Sequence, residues 1–564
     1  MADALDFWIY RDGRESRSGI ELRAELERLV AAVLRSTGEL RRRRALDAVI
    51  ASGTLEAALA DAGDAGDPAA TSAAASVAAL TDVLATAALG VDGNNAPLRA
   101  ASARFDTSPM PARLVVSEPE GFAYYALHPE AYARALRRRP RATGEVLVVG
   151  IRSIGTTLSA FARAELRRHG EAVERITVRP TGHPYDRHLD LDDAQRDAVS
   201  LLASRRGEAI VVDEGPGRSG STLLATAEAL ERAGLPADRI MLLCSNAPSP
   251  ALAARNAAVR FARFPVTVVP SDVRVPASQV DLSAGAWRCL AYEPRGGAYW
   301  PASFTQTERR KLLTLDGRLA KFEGLGRGAR RAAERGEALA AAGISPAARD
   351  EADGWLSYAW EGAPLSRTDL DSAMIARLAE YCAMRPRICP GAQSTAGLEP
   401  MVAKNLSLLA PGAAVPALAI ERPAIVDGRM APHEWLRRHD GHVVKTDAIS
   451  HGDDHFFPGP TDIAWDLAGA IVEWELDDHA ATRLVSLYRR ASRDDVTPRL
   501  PAWILAYSTF RAAFTSVGRS MATSPAEEAR LARDLARYRA VVGRVLTALA
   551  TSGASAASGA DAPL

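Results

Sequence analysis

The chain has 564 residues, in which 69 lysines and arginines balance 69 aspartates and glutamates. This length exceeds what one hydrophobic core usually supports, so we expect two or three domains. Zero net charge disfavours a nucleic-acid-binding protein, and four cysteines without metal-binding spacing are typical of a reducing compartment. Without a signal-peptide pattern or a long enough apolar run, we expect a cytoplasmic protein that does not bind a membrane.

Residues 1–109 are predicted to form a helical segment without chemistry of its own. Apolar and charged residues alternate at helical spacing over 21–60, and a later helix is expected to end at Gly90. The stretch 61–76 between them has few large apolar side chains, which predicts a flexible joint.

Strands alternate with helices over residues 110–285. The apolar runs EVLVVGI, RITVRP, EAIVVDE and RIMLLCS are separated by helical patterns, which favours an α/β fold with a parallel sheet. In such sheets ligands bind beyond the carboxyl ends of the strands. Three loops, after Gly150, Val178 and Val212, leave that edge, and we expect them to converge on one ligand.

The run VVDEGPGRSGST over 211–222 joins two acids to a glycine-rich loop before a helix. Free backbone N–H groups, hydroxyls and a helix N-terminus together suit a phosphate group. The carboxylates of Asp213 and Glu214 need a different partner, either sugar hydroxyls or a metal. The plain structural alternative is a strand–turn–helix whose glycines serve only the turn.

The same run resembles the phosphoribosyl-pyrophosphate loop of type I phosphoribosyltransferases. VVGIRSIGTT resembles the pyrophosphate loop of that family, and TVRPTGHPYDR lies where the family often carries a basic residue before a mobile flap. The similarity covers about residues 110–275 and rests on three motifs in the expected order.

The resemblance implies a role for each loop. Asp213 and Glu214 would hold the ribose hydroxyls, and Arg179 would neutralise pyrophosphate bound with Mg²⁺. The pyrophosphate loop supplies Arg152, Ser153 and Gly155, and the sugar-phosphate cradle supplies Gly217, Arg218, Ser219, Gly220, Ser221 and Thr222. This loop is one residue longer than the common family pattern, so Arg218 is an additional phosphate ligand under this interpretation.

Residues 286–550 are predicted to form a two-lobed α+β domain, followed by a disordered tail over 551–564. Lys321 lies in a predicted strand, and Glu334 and Glu337 lie on the next predicted helix. In kinases a strand lysine paired with a helix glutamate orients the nucleotide phosphates.

The later motifs AIVDGRMAPHEWL and HVVKTDAISHGDDHFFPGPTDIAWDLAGAIVEW resemble aminoglycoside-phosphotransferase-like kinases. The resemblance implies Asp427 as the catalytic base, Asp447 as the Mg²⁺ ligand and Asp466 as a support for the site. His433 or Glu434 lies near the position of the usual metal-binding asparagine, which the chain lacks. The family's His-x-Asp catalytic loop and a glycine-rich nucleotide loop are also missing.

The segment HGDDH over 451–455 has two interpretations, a metal-binding cluster or polar loop residues beside a site.

The sequence thus predicts a phosphoribosyltransferase-like domain fused to a kinase-like domain. The favoured function is phosphoribosyl transfer, or its reverse, coupled to ATP-dependent phosphorylation of a related small molecule. Its substrates would be phosphoribosyl pyrophosphate and ATP, its cofactor Mg²⁺, and it would form a homodimer through the first domain. The alternative is a sensor of phosphoribosyl pyrophosphate or nucleotide with a catalytically silent kinase-like domain.

Overall fold

The computed structural model describes residues 6–90, 94–142, 144–250, 252–292, 297–391 and 397–558. The chain forms two compact units. The parallel-sheet unit comprises Gly13–Val275 and Gly324–Ala329, and the antiparallel-sheet unit comprises Met1–Asp12, Pro276–Glu323 and Arg330–Leu564.

The elements of the parallel-sheet unit alternate much as the sequence predicts. Its helices are α1 (Gly19–Leu34), α2 (Gly38–Asp64), α3 (Pro68–Ala88), α4 (Ala96–Asp106), α5 (Glu120–Ala123), α6 (Glu130–Leu136), α7 (Ile154–Arg168), α8 (Asp193–Ser204), α9 (Ser221–Arg232) and α10 (Ala257–Phe261). Its strands are β1 (Arg14–Ser18), β2 (Arg113–Ser117), β3 (Val146–Ile151), β4 (Val173–Val178), β5 (Thr181–His183), β6 (Asp186–His188), β7 (Glu208–Val212), β8 (Ile240–Cys244) and β9 (Val266–Val268).

Five of these strands form the predicted parallel sheet, in the spatial order β4-β3-β7-β8-β9. All neighbouring pairs in this sheet run parallel. The strands β3 and β7 are almost wholly apolar and buried, as expected for a sheet covered on both faces. The parallel sheet predicted from the sequence is therefore confirmed.

The helices of the predicted N-terminal segment belong to the same compact unit as the sheet from Gly13 onward. Strand β1 pairs with β2 across that boundary. Buried Arg175 of β4 forms ion pairs with Glu56 of α2 and Asp82 of α3. Backbone pairing and buried ion pairs both tie the leading helices to the sheet.

The flexible joint predicted over 61–76 is wrong. Helix α2 continues to Asp64 and α3 begins at Pro68, so only a short turn separates them. The carboxylate of Asp67 caps α3 by accepting a hydrogen bond from the Ala70 N–H at 2.9 Å. The missing bulky side chains do not prevent helix formation, because alanine has the highest helix propensity and proline suits the first helical position.

Helix α3 is long and apolar enough to cross a membrane by length and composition alone. A core helix of a folded domain passes the same test, and Val77, Leu80 and Leu84 of α3 are fully buried within the unit.

The antiparallel-sheet unit combines a small sheet with a larger helical region. Its helices are α11 (Trp287–Tyr292), α12 (Arg327–Ala341), α13 (Ser372–Ile388), α14 (Leu398–Leu409), α15 (Ala464–Glu473), α16 (Asp478–Ser492), α17 (Leu500–Ser520) and α18 (Pro525–Ser558). Its strands are β10 (Ser278–Asp281), β11 (Lys311–Thr314), β12 (Arg318–Phe322), β13 (Ala348–Asp350), β14 (Trp355–Ala359), β15 (Ala363–Pro364), β16 (Pro423–Ala424), β17 (Trp435–Arg437), β18 (Val443–Lys445) and β19 (Thr461–Asp462).

Five strands of this unit form an antiparallel sheet in the order β10-β11-β12-β14-β13. The main hydrophobic core lies in the larger region that follows this sheet, where Trp435, Trp465 and Trp503 are fully buried. Helix α18 runs to Ser558, within the predicted tail 551–564, and 559–564 lies outside the described residues.

Candidate functional site

The two loops predicted to bind phosphate groups begin on neighbouring strands. Gly150 of β3 lies beside Val212 of β7 in the parallel register. The connection that leaves β3 leads outward to β4, and the connection that leaves β7 leads outward to β8 on the other side of the sheet. Such a topological switch point opens a crevice at the carboxyl edge, where ligands of α/β sheets bind.

The carboxylates of Asp213 and Glu214 lie at this switch point, directly after β7, and are half-buried. The backbone around them is fixed from two directions. The hydroxyl of buried Tyr132 donates to the Asp213 carbonyl at 2.7 Å, and the Ser245 N–H donates to the Glu214 carbonyl at 2.7 Å. The Asp213 carboxylate accepts the Glu214 N–H at 2.8 Å.

Both carboxyl groups have raised pKa values. Burial raises the pKa of Asp213 to about 7, against the opposing effect of Arg179. Burial, and then the neighbouring Asp213 and Glu120 carboxylates, raise the pKa of Glu214 to about 8. Raised pKa values on two adjacent acids at the end of a buried strand are a feature of functional sites.

The glycine-rich loop after these acids is shaped by Gly220, the N-cap of α9. Its φ of +73° is left-handed, and a Cβ at this position would lie 2.5 Å from the Phe261 ring. Only glycine fits both constraints. Gly217 and Arg218 are exposed at the tip of the loop, and Thr222 is half-buried in the first turn of α9.

The cradle hydroxyls contact the hairpin formed by β5 and β6. The hydroxyls of Ser219 and Ser221 both donate to the carbonyl of Pro184 at the hairpin turn, at 2.8 and 2.7 Å. The hairpin turn therefore takes the hydrogen bonds that the sequence assigned to a phosphate. A phosphate that binds here must displace it.

The predicted pyrophosphate loop contains a strained backbone position. Ser153 has a φ of +100°, which is rare for a residue with a side chain. Gly155, two residues later, lets α7 approach β7, because a Cβ there would lie 2.7 Å from the Val212 carbonyl oxygen. The strain lies where the sequence predicts a ligand, which is typical of functional loops.

The two arginines of this region are bound to acids of α2. The Arg179 guanidinium contacts the Asp61 carboxylate at 2.5 Å, and Arg152 contacts the same carboxylate at 3.1 Å. Arg152 also forms an ion pair with Asp64. Arg152 and Arg179 are thus brought together as predicted for a pyrophosphate site, but around a protein carboxylate.

The antiparallel-sheet unit has a cavity lined by charged side chains, and Lys321 of β12 is one of them. Lys321 is buried and does not pair with Glu334, because Glu334 and Glu337 lie on the exposed face of α12. The ammonium instead forms an ion pair with Asp447 and donates to the Ser450 hydroxyl at 2.9 Å. The predicted Lys321–Glu334 pair is therefore wrong.

The second acid beside Lys321 is Glu323, at 3.4 Å. Residues two apart in a strand point to the same face, so the sequence already contained this signal. Burial alone would lower the pKa of Lys321, but Asp447 and Glu323 raise it above its usual value. Lys321 therefore remains a cation.

Asp447 lies at a strained backbone position, with a φ of +53°. Burial would raise its pKa, but Lys321 and His451 outweigh burial and hold the pKa well below its usual value. The His451 ring lies 3.4 Å from the second carboxylate oxygen. Asp447 is thus an ionised carboxylate exposed to the cavity.

Asp427, predicted as the catalytic base, is fully buried and does not line the cavity. Its carboxylate accepts a hydrogen bond from the Tyr381 hydroxyl and lies 3.3 Å from the Lys445 ammonium. Burial would raise the pKa of Asp427, but Lys445 and Arg385 hold it below its usual value. This ionised carboxylate is paired with Lys445 and Arg385 and does not border the cavity, so its burial gives the prediction of a catalytic base no support.

Asp466 supports the loop that carries Asp427. Its two carboxylate oxygens accept the N–H groups of Asp427 and Gly428 at 2.8 and 2.9 Å. Burial, and then the Asp427 carboxylate, raise the pKa of Asp466 to about 6.

Glu434 and His433 line the same cavity as Asp447. The Glu434 carboxylate lies 3.5 Å from the Lys445 ammonium, and the His433 ring stacks on Trp287 at 5.8 Å. No group of three or more potential metal ligands occurs among the described residues, so the metal-binding interpretation of the HGDDH segment gains no support from them. The His451 ring contacts the Asp447 carboxylate, and the His455 ring contacts the Asp454 carboxylate.

Comparisons with known proteins give matches to solved structures alone. No family model matches the chain, and no curated protein matches its sequence. Part of the chain is similar to choline kinase LicA from Streptococcus pneumoniae, with 13% identity, a TM-score of 0.27, and coverage of 41% of this chain and 89% of that chain.

A choline/ethanolamine kinase family protein from Mesorhizobium loti has 15% identity and a TM-score of 0.30, and the match covers 43% of this chain and 88% of that one. An ethanolamine kinase from Plasmodium vivax has 9% identity and a TM-score of 0.28, over 41% of this chain and 78% of that one. Scores this low carry no weight in assigning an activity. The resemblance of residues 110–275 to phosphoribosyltransferases gains no support from these matches.

Proposed function

We propose that the parallel-sheet unit binds a phosphoribosyl group and transfers it, in an Mg²⁺-dependent reaction, to or from a small molecule. The observation that carries this proposal is the pair of half-buried carboxylates, Asp213 and Glu214, at the switch point of the sheet. Adjacent carboxylates with raised pKa values need hydrogen-bond donors or a cation to become stable as anions.

The two hydroxyls of a ribose provide such donors. Each carboxylate would accept a hydrogen bond from one hydroxyl, which fixes the sugar above the end of β7. Displacement at the anomeric carbon passes through a state with oxocarbenium character, and the carboxylates stabilise its positive charge. The same residues thus orient the substrate and favour the transition state.

Departing pyrophosphate would be neutralised by Arg152 and Arg179. Both guanidiniums are already clustered around Asp61, so little conformational freedom is lost when an anion takes its place. Mg²⁺ prefers oxygen ligands, and the carboxylates of Asp213 and Glu214 are suitable ones. When bound, the ion supplies further neutralisation of the pyrophosphate charge.

Calorimetric titration with Mg²⁺ and phosphoribosyl pyrophosphate tests this proposal. We expect the wild type to bind and the double variant Asp213→Asn/Glu214→Gln to lose detectable binding. Asp238→Asn, an exposed acid on the same unit, is the matched control and should bind as the wild type does. Equal affinity in the double variant would rule out the ribose assignment.

A second candidate function is nucleotide binding in the cavity of the antiparallel-sheet unit. It is favoured by the buried Lys321 ammonium, which faces the ionised Asp447 carboxylate in that cavity. Lys321 would contact a nucleotide phosphate, and Asp447 and Glu434 would hold Mg²⁺, which commonly binds one or two carboxylates together with phosphates. The burial of Asp427 favours sensing of the nucleotide over phosphoryl transfer.

Measurements of ATP binding and ATP hydrolysis separate these roles. We expect Mg²⁺·ATP to bind the wild type and to be consumed at no measurable rate with a panel of small-molecule acceptors. Lys321→Met should abolish binding, whereas Lys404→Met, which removes an exposed lysine of the same unit, should not. Rapid ATP consumption by the wild type would contradict the sensing role.

A further inference from the structure

Arg429 is an unusual cation in the cavity of the antiparallel-sheet unit. Every other cavity-lining lysine or arginine lies within 4.0 Å of a carboxylate. For Arg429 no carboxylate lies within this distance among the described residues, and its guanidinium donates no hydrogen bond to them. A half-buried guanidinium without a counter-ion keeps all of its donors available.

The position of Arg429 is nevertheless fixed. Its guanidinium carbon lies 5.0 Å from the centre of the Phe514 ring, and Phe514 is buried in α17. Its backbone N–H donates to the buried Asp427 carboxylate at 3.1 Å. The loop and the aromatic ring together hold the Arg429 side chain in one position at the cavity wall.

A second guanidinium lies against the same ring. Arg511, one turn before Phe514 on α17, has its guanidinium carbon 5.5 Å from the ring centre. Its Nε and one terminal nitrogen donate to the Tyr538 hydroxyl, and Glu473 lies 3.3 Å away. The other terminal nitrogen is buried and has no hydrogen-bond partner among the described residues. A buried N–H without a partner is costly, so an acceptor that reached this nitrogen would be favourable.

We infer that Arg429 and Arg511 form an oxyanion subsite, which takes the phosphate or carboxylate group of a second small ligand. Planar guanidiniums offer paired N–H donors whose geometry matches these two groups. The subsite lies in the same cavity as the proposed nucleotide site. That the oxyanion belongs to a second ligand, and not to the nucleotide, rests on the proposed nucleotide binding. The second ligand is therefore an anionic metabolite.

Arginine modification followed by peptide mass mapping tests the subsite in the full-length protein. Phenylglyoxal should modify Arg429 in the free protein, and inorganic phosphate or malonate should slow that modification about tenfold. Arg483, an exposed arginine on α16, is the internal control and should react at the same rate throughout. Equal modification of Arg429 with and without both anions would overturn the inference.

Calorimetry on variants identifies the anion and separates the two proposals. Arg429→Gln should weaken binding of the protective anion about tenfold or more, and Arg483→Gln should leave it unchanged. Protection by phosphate alone indicates a phosphorylated ligand, and protection by malonate alone indicates a carboxylate. Mg²⁺·ATP should bind Arg429→Gln as it binds the wild type. Loss of ATP binding in that variant would instead place Arg429 in the nucleotide site and overturn the second-ligand assignment.

Discussion

The stability of the parallel-sheet unit should fall as the pH rises through neutrality, and Asp213→Asn should remove part of this loss. The pKa of Asp213 is about 7 in the folded chain, against a usual value of 3.8. Folding therefore favours the protonated acid. The native state binds more protons than the unfolded state between these two values, so the free energy of unfolding decreases as the pH rises through that window.

The size of the effect follows from the pKa shift. Between about pH 5 and pH 7 the Asp213 carboxyl group stays largely protonated in the folded chain and is ionised in the unfolded chain. Over this range the free energy of unfolding therefore decreases by about 3 kcal/mol at most. Water reaches a half-buried carboxylate, so we expect about 1 to 3 kcal/mol in practice. Asparagine keeps the oxygen that accepts the Glu214 N–H but does not titrate. The variant should therefore gain stability over the wild type at about pH 8 and gain little at about pH 5.

The distribution of tryptophan allows the unfolding of the two units to be measured separately. All nine tryptophans lie in segments of the antiparallel-sheet unit, so their fluorescence reports on that unit alone. Denaturant unfolding followed by circular dichroism reports on both units, and the transition without a fluorescence change belongs to the parallel-sheet unit. The reasoning would be refuted if the unfolding midpoint of the parallel-sheet unit differed between variant and wild type by the same amount at about pH 5 and about pH 8. A shift of the fluorescence transition would show that the substitution acts elsewhere.

Three further predictions follow from the geometry. Gly220→Ala should lower the free energy of unfolding by about 2 kcal/mol or more in thermal unfolding, because Gly220 has a positive φ and lies against a phenylalanine ring. Gly215→Ala should lower it little. Asp61→Asn should raise the affinity for pyrophosphate roughly fivefold in calorimetry, because it weakens the half-exposed ion pairs that hold the two arginines. Lys321→Met should destabilise the antiparallel-sheet unit by about 3 to 5 kcal/mol, because it leaves the Asp447 carboxylate without its cation. Adding Asp447→Asn should recover part of this loss, because it removes the unpaired charge.

Much of the parallel-sheet unit could be predicted from the sequence. The strands β3 and β7 appear as short, wholly apolar runs between helical patterns, and only a parallel sheet covered on both faces buries such runs. The polar residues directly after Val212 then have to lie at the carboxyl edge. The position of Asp213 and Glu214 could be predicted from local sequence, because it depends only on where a buried strand ends.

The partners of charged side chains were decided by the tertiary structure. Lys321 was correctly placed in a strand, yet its partners are Asp447, distant in the chain, and Glu323 rather than Glu334. Helical periodicity gives two possible faces for α12, and packing turned Glu334 toward solvent. Asp61 lies on a helix without any motif, so no local signal marks it as the partner of Arg152 and Arg179.

The sequence by itself determined which residues follow each buried strand, because hydrophobic periodicity and glycine-rich turns act over a few residues. Asp427 shows the limit of that information. It follows an apolar run as a catalytic acid would, but Tyr381 and Lys445, which come from other parts of the chain, enclose its carboxylate. Burial and ion pairing are properties of the assembled core, since they depend on which distant side chains meet. Only the tertiary structure could therefore decide that Asp427 is a buried support and that Arg429, two residues later, faces the cavity.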